Sequence, residues 1–531
     1  MNAYIAGIVV ALLVFITIGV VAGRKVKDTN DYYVAGRKAP TILIVGSLIA
    51  SFLSTGAFMG DTGEVYSGFF MGIVIVGVIQ ASGYVYGAGL FGKYIRRLEV
   101  NTVPEYFGYR FLSERLRKLA AFTLIIAVSA YLLSAIQGVS TLMMSVTGFD
   151  YKTCVVIAWI SFTIFTVYSG SMGVLITDTI MFLVFLIASM IGIPYIISAA
   201  GGWNEAIYCL ANSELKPGII SWTNNLDYLY PSGWENLVWA VLYGVVWAIV
   251  VMVSPWQTSR YLMAKDEDTV MRSSIWASMG VVTVTTALYF SAAFVYKINP
   301  YLDDQSTSII WAAMYCMPLI IGVIMLTGIL SAGISSASTF LSLIGASLMN
   351  DIFNKKNIIS EAKKLQTSRI AMAGVSLVVL FIAFYNPPQI FWIMYFGGTV
   401  IASSWGPVAI ASVWFKNLSE LGAFWGMLLG FFGCFVTKVY VITTNSVLPI
   451  CFDSFFVGIF LSVIGLVLGS YYSKASNKEK EIYNILHSES SDSNMKCRQT
   501  THRLMYLYMA FGVFLGLFFV FAYALPYLYA I

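Results

Sequence analysis

Long apolar stretches dominate this chain and limit what it can fold into. A helix that crosses a bilayer needs about 20 mostly apolar residues. By that test we count 14 spans in the 531 residues. Charged residues make up only 11% of the chain, too few to cover soluble domains of that total size. The sequence therefore predicts an all-α polytopic membrane protein that forms a single membrane unit.

The predicted spans follow one another along the whole chain. Their ranges are 2–23, 41–65, 70–92, 117–147, 153–169, 173–200, 236–262, 272–297, 309–349, 368–385, 388–415, 420–443, 452–473 and 505–530. The ninth is too long for one straight crossing, so part of it should bend or project.

Basic residues lie in alternate loops, which predicts the orientation. All but four of the 31 Lys and Arg residues fall on one side, in 24–38, 93–118, 260–272, 355–369, at Lys416 and in 474–503. Basic loops stay in the cytoplasm. This predicts a multi-pass protein of the cell membrane with both termini outside, and a solvated cytoplasmic linker at 474–503.

Several function classes lack the residues that they need. The two histidines, His487 and His502, both fall in the polar tail, so a histidine metal site within the spans is excluded. The six cysteines form no C-x-x-C pair. The basic residues sit in short loops, which argues against a nucleic-acid partner. We therefore expect no enzyme and no organic cofactor.

Two spans contain helix-breaking sequences near their middle. The second holds Ala50 to Gly60, which is rich in Ser and Gly, and the seventh holds Val253 to Thr258, which includes Ser254-Pro255. They lie five spans apart, as an inverted repeat of five plus five helices requires. Unwound backbone at such breaks can bind ions and substrate. The alternative is that the small residues serve helix packing and Pro255 is a simple kink.

The ninth span carries a run of hydroxyl side chains. Ser335, Ser336, Ser338 and Thr339 are spaced so that several share one helix face. Neutral oxygens of this kind suit Na⁺, which needs about five or six ligands. The alternative is a packing face whose hydroxyls bond back to backbone carbonyls.

Asp178 lies within the sixth span, with apolar residues on both sides. A carboxylate inside the membrane is costly unless it is paired. No Lys or Arg within an apolar span is an obvious partner, so a bound cation is predicted. The alternative is a carboxylate that reaches cytoplasmic water. Asp61 and Glu64, at the outer end of the second span, are expected to be solvated rim charges.

Seven segments together carry a family resemblance. They are NDYYVAGRK (30–38), SLIASFLSTGAFMGDTGEVYSG (47–68), NTVPEYFGYRF (101–111), YSGSMGVLITD (168–178), SRYLMAKDEDTVMR (259–272), SAGISSASTFLSLIGASLMNDIF (331–353) and GPVAIASVWF (406–415). In this order the chain resembles the sodium:solute symporter family over roughly residues 1–475.

The resemblance implies the leucine-transporter-type fold, with two inverted five-helix repeats. The implied divisions are an accessory helix and loop (1–40), the first repeat (41–200), an extracellular loop (201–235), the second repeat (236–415), accessory helices (416–473), a cytoplasmic linker (474–504) and a last helix (505–531).

The resemblance also implies sodium as a co-transported ion. A central site would use the carbonyls of Ala50, Leu53 and Ala332 and the hydroxyls of Ser335 and Ser336. Some relatives have a second site, which Asp178, Ser335, Ser338 and Thr339 match here.

Substrate positions differ from those of the sugar-transporting branch. That branch carries polar and acidic groups where this chain has Ala57, Val76 and Ile79, so a sugar is not expected. The candidate substrate-binding residues are Ser54, Gln80, Gln137, Ser254, Trp256, Gln257 and Thr399. The alternative for each polar one is a satisfied hydrogen bond between helices.

The predicted function is secondary active transport. An inward Na⁺ gradient would drive uptake of a small organic solute, of carboxylate or amino-acid type, by alternating access. Its predicted partners are that small molecule and the lipid bilayer. Two alternatives stay open at this point: an H⁺-coupled symporter that uses Asp178, and a solute-binding membrane sensor.

Overall fold

A computed structural model describes residues 3–23, 33–223, 232–353, 361–385, 390–446, 448–488 and 495–531. The helices are α1 (Ala3–Gly23), α2 (Thr41–Phe52), α3 (Gly56–Tyr66), α4 (Phe70–Arg97), α5 (Val103–Arg110), α6 (Glu114–Thr147), α7 (Tyr151–Ala199), α8 (Trp203–Ala211), α9 (Gly233–Val253), α10 (Pro255–Met263), α11 (Glu267–Ile298), α12 (Ser308–Tyr315), α13 (Leu319–Ser347), α14 (Glu361–Tyr385), α15 (Ile390–Trp414), α16 (Glu420–Thr444), α17 (Ser454–Tyr472), α18 (Asn477–His487), α19 (Met495–Phe519) and α20 (Leu525–Ala530). Parts of the predicted loops 24–38, 355–369 and 474–503 lie outside the described residues.

The predicted count of 14 spans is not confirmed. Within the described ranges, 11 helices are long and apolar enough to cross a membrane, or up to 12 when the bent pair α2 and α3 forms one span. Two further predicted spans, 2–23 and 153–169, are represented among the described side chains by the apolar stretches Ala3–Ile18 and Tyr151–Ile164.

The helix α7 differs from the prediction in a second way. The sequence predicts two spans, 153–169 and 173–200, separated near the glycines of YSGSMG. The structure has helix throughout these 49 residues. At about 1.5 Å per residue, a straight helix of this length would far exceed the roughly 30 Å hydrocarbon core of a bilayer. The glycines therefore do not end the helix.

Both predicted helix breaks are present. The chain bends by 44° between α2 and α3, where Leu53 leaves the helical region with a ψ of 66°. Ser54 then accepts a hydrogen bond from the Gly56 N–H at 3.1 Å. At the other break, Ser254 is extended, with a ψ of 141°, and Pro255 begins α10. Proline suits the first position of a helix because it has no N–H to satisfy.

The predicted inner loops meet on one side of the bundle. Arg97 pairs with Glu267, with an Nε–Oε1 distance of 2.6 Å, and Arg117 pairs with Asp351 at 2.9 Å. Lys297, predicted on the opposite side, donates to the carbonyl that follows α7 at 2.6 Å. The separation of the two sets of loops agrees with the charge pattern, whereas the absolute orientation stays a prediction.

The segment predicted as a solvated linker contains a docked helix. Ser476 caps α18, and the Glu479 side chain bonds back to the Ser476 backbone. Leu486 is fully buried, and its carbonyl accepts from Arg97 at 2.5 Å. The solvated-linker interpretation is therefore wrong for this part. It failed because a short amphipathic helix with many charged residues has the composition of a linker.

The orientation can be tested by cysteine labelling of sealed cells. In a background with the six native cysteines replaced, Tyr301→Cys should react with a membrane-impermeant maleimide, because Tyr301 is 76% exposed in a predicted outer loop. Lys478→Cys, which is also exposed, should react only after permeabilisation. The reverse pattern would invert the predicted topology.

Candidate functional site

Asp178 lies fully buried where four helices meet. Ser47 of α2 donates to its Oδ2 at 2.5 Å, and Ser335 of α13 donates to its Oδ1 at 2.6 Å. Arg260 of α10 forms an ion pair with it at 3.1 Å. The carboxylate of α7 thus links both broken spans to the hydroxyl-rich helix.

Arg260 corrects the prediction that Asp178 lacks a basic partner. The guanidinium is only 2% exposed, and it also donates to Thr339 at 2.6 Å and to Ser47 at 2.9 Å. The sequence analysis assigned this arginine to a cytoplasmic loop because the apolar run ends beside it. The break at Ser254 was the sequence signal that Arg260 is buried, because the half-helix that follows the break must still lie among the other helices.

The residues predicted for a second sodium site come together around this guanidinium. Asp178 and Thr339 both accept hydrogen bonds from Arg260. The hydroxyl of Ser338 donates to the carbonyl of Ser335 at 2.8 Å. An internal cation therefore already satisfies the charge that the sequence analysis assigned to a bound ion.

At the first helix break, two carbonyls of the predicted central site, those of Ala50 and Leu53, lose the backbone N–H donors that a continuous helix would give them. The N–H of Ser54 donates to Phe52 at 2.7 Å, and the N–H of Ala57 donates to Ser54 at 3.1 Å. In a continuous helix these two N–H groups would bond to Ala50 and Leu53, four residues earlier. Both carbonyl oxygens therefore remain available to another ligand.

The face of α13 that approaches this break carries a buried hydroxyl. Ser336 is fully buried, and its Oγ has no hydrogen-bond partner among the described residues. The backbone at Gly333 approaches the break so closely that a Cβ there would lie 3.0 Å from the Thr55 Cγ2. A buried oxygen without a partner requires an explanation, and a cation would satisfy it. Carbonyl and hydroxyl oxygens are ligands of the kind that hard cations take in proteins.

A small closed cavity lies beside the first break. Its volume is about 30 Å³, counted as the space open to the centre of a water-sized sphere. Its polar and aromatic lining includes Ser54, Asp61, Gln80, Tyr131, Tyr243 and Trp256.

Three of the seven predicted substrate residues line this cavity, namely Ser54, Gln80 and Trp256. The other four, Gln137, Ser254, Gln257 and Thr399, lie outside its lining. Thr399 instead donates to the carbonyl of Tyr395 at 3.0 Å, as expected for a hydroxyl that satisfies its own helix. Spacing alone could not separate the two groups, because it does not fix how each helix is rotated.

Asp61 is not the solvated rim charge that the sequence analysis expected. It is only 9% exposed, lines the central cavity and accepts a hydrogen bond from Tyr289 at 2.8 Å. The outer loop covers this part of α3, since a Cβ at Gly63 would lie 3.2 Å from the Ser306 backbone. Glu64, one turn further on, lines a separate outer pocket.

Three spaces lie within the bundle. The outer pocket, of about 290 Å³, includes Glu64 and Phe391. The central cavity shares Phe391 with it. An inner pocket of about 40 Å³ is lined by Arg260 and Thr339. Phe391 thus lines both the outer pocket and the central cavity, whereas Arg260 lines the inner pocket.

Comparison with known proteins identifies the family. The model of the sodium:solute symporter family matches residues 32–430, well over half of the chain. The chain belongs to the sodium:solute symporter family. Members of this family are transporters rather than enzymes, and they reside in the plasma membrane with several spans.

Two relatives align over most of their length. The sodium/pantothenate symporter of Escherichia coli K12 is 24% identical over 480 residues, which cover 88% of this chain and 95% of that protein. The sodium/proline symporter of Salmonella typhimurium LT2 is 23% identical over 487 residues, covering 87% and 91%.

A solved structure supports the fold. That of a Na⁺-coupled sialic acid symporter in a substrate-bound outward-open state superposes with a TM-score of 0.73. It covers 90% of this chain and 99% of its own, at 16% identity. The fold is of the leucine-transporter type, with the inverted-repeat core that the sequence resemblance implied.

The buried pair predicts a strong coupling between two substitutions. Asp178→Asn and Arg260→Gln should each lower stability by about 3–5 kcal/mol, because each leaves a buried charge unpaired. The double variant should lose much less than the sum. Melting of the purified protein in detergent measures all three, with Ser338→Ala as the control. Additive losses would contradict the pairing.

Proposed function

We propose that this symporter couples the inward movement of one Na⁺ to the uptake of a small organic solute. The observation that supports this most directly is the buried, unpartnered hydroxyl of Ser336. It lies on the helix face that approaches the break where the carbonyls of Ala50 and Leu53 are released. Ala332 and Ser335 would complete a set of about five oxygens, the number that a sodium ion requires.

The cavity favours a solute of carboxylate or amino-acid type. Ser54 and Gln80 offer hydroxyl and amide groups, and Tyr131 and Trp256 form an aromatic wall with ring centroids 4.3 Å apart. The positive end of the α3 dipole faces the break and favours an anionic group without any arginine. The names of the aligned relatives specify proline and pantothenate, which both carry a carboxylate.

Sodium and solute would act on the same broken helix. An ion held between α2 and α13 fixes the break and so orders the cavity wall that α3 provides. By linkage, the solute then improves sodium binding by the same factor. Rocking of one repeat against the other would expose the cavity to each side in turn, through the outer and inner pockets.

The arrangement gives little support to proton coupling through Asp178. A carboxylate that carries protons should exchange them with water, whereas this one is enclosed by Arg260 and two serine hydroxyls. We propose instead that the ion pair positions the inner ends of the helices. We also propose that both chain termini lie outside the cell.

The sodium site predicts the effect of removing one hydroxyl. Ser336→Ala should raise the Na⁺ concentration for half-maximal uptake about tenfold, because one of about five ligands is lost. The assay is uptake of labelled proline and pantothenate into proteoliposomes at clamped pH. Ser338→Ala is the matched control, because its hydroxyl already bonds to the Ser335 carbonyl. Equal sodium dependence in both variants would exclude Ser336 as a ligand.

The internal pairing of Asp178 also predicts the stoichiometry. Because Arg260 supplies the positive charge at the second set of residues, we expect one sodium per solute and a Hill coefficient of about one for Na⁺. The reversal potential of uptake in proteoliposomes gives this ratio. A ratio of two would mean that Arg260 leaves Asp178 during the cycle.

A further inference from the structure

Asp61 is a buried carboxylate whose charge has no basic partner among the described residues. One of its oxygens, Oδ2, accepts a hydrogen bond from Tyr289. The ion pairs within the described part of the chain do not include it. A single neutral hydroxyl compensates little of the cost of a carboxylate inside a membrane protein.

Two other buried carboxylates, Asp178 and Asp351, show what is missing at Asp61. Asp178 pairs with Arg260, and Asp351 pairs with Arg117 at 2.9 Å. Each of these two is held by a guanidinium from a neighbouring helix. Asp61 differs from both because it lines a cavity, so its partner can come from outside the chain.

Two phenol groups share the cavity with Asp61. Tyr131 and Tyr243 are 6% and 3% exposed, and the Tyr131 hydroxyl has no hydrogen-bond partner among the described residues. A buried polar group is ordinarily satisfied, so an unpartnered hydroxyl in the same cavity as an unpaired charge indicates a ligand position.

The surroundings of this carboxylate suit an organic cation better than a second sodium ion. Sodium needs several oxygen ligands around it, whereas the walls here include several aromatic rings. The rings of Tyr131 and Trp247 lie 6.5 Å apart, and those of Tyr243 and Trp247 lie 5.9 Å apart. Aromatic faces attract an ammonium group and tolerate its carbon atoms.

We propose that Asp61 binds a cationic nitrogen of the transported solute. The solute is then an amine-bearing compound of amino-acid type, and a purely anionic carboxylate is excluded. This inference rests on the proposed function, since it assigns the substrate class of the same cavity. Asp61 lies seven residues beyond Ser54, further along α3 from the break. The ammonium group would therefore bind at the outer end of the cavity and the remaining polar groups of the solute nearer the break.

The test compares matched pairs of probes on the purified protein in sodium buffer. Each pair is an amine and its uncharged derivative: the common L-amino acids with their N-acetyl forms, and 4-aminobutyrate with butyrate. Pantothenate is added as an anion. At least one amine should raise the melting temperature while its derivative does not. Asp61→Asn should weaken binding of that amine at least tenfold, and Tyr289→Phe should weaken it a few-fold by releasing the carboxylate.

Two controls separate recognition from misfolding. Glu214→Gln, at an exposed position of the outer loop, should leave affinity unchanged. Asp61→Glu, which keeps the charge, should restore part of the affinity that Asp61→Asn loses. The proposal is overturned if only non-amine probes stabilise the protein, if no amine in the panel does so, or if Asp61→Asn binds the amine as tightly as the native chain.

The same probes distinguish this inference from the proposed function. An amine that binds through Asp61 but is not taken up on a sodium gradient would contradict sodium symport and leave the inference standing. Sodium-driven uptake of an N-acetylated or anionic probe, unaffected by Asp61→Asn, would support symport and overturn the inference.

Discussion

The buried ion pair of Asp178 and Arg260 is the interaction on which the inner half of the structure depends. Desolvating both charges is costly, so the pair is tolerated only with close geometry and further hydrogen bonds. Ser47, Ser335 and Thr339 supply those bonds. Because the five residues come from four helices, the pair fixes where the two broken spans meet α13. Ser336, the next residue after Ser335, takes its position from that junction.

The sequence predicted those features that depend on local composition. Apolar runs located the spans, and Ser54 and Pro255 located the breaks. Partners across helices were less accessible, because an arginine near the end of an apolar run resembles a loop residue. The burial of Asp61 also depends on an outer loop that folds over it, and the sequence pattern of α3 does not predict this loop contact. The docked helix α18 was missed because its many charged residues are typical of a linker, although one face of the helix is buried.

Asp178 and Asp61, two of the buried carboxylates, illustrate one constraint with two outcomes. Asp178 has an internal cation, whereas Asp61 faces a cavity and has none among the described residues. The sequence analysis expected the opposite, with a bound cation at Asp178 and water at Asp61. It judged each charge by its depth along a span. The role of each carboxylate depends instead on whether a neighbouring helix places a guanidinium beside it.

The break between α2 and α3 connects the two proposed binding events. The carbonyls of Ala50 and Leu53 precede it, and Asp61 lies on the half-helix that follows it. A sodium ion bound to those carbonyls restricts the orientation of α3, and this orientation sets where the Asp61 carboxylate points within the cavity. A cationic group bound to Asp61 restricts α3 in turn, so it lowers the conformational entropy that sodium binding must remove. Coupling between ion and solute therefore requires no direct contact between them. It requires only that both act on the three residues 53–55 that join α2 to α3.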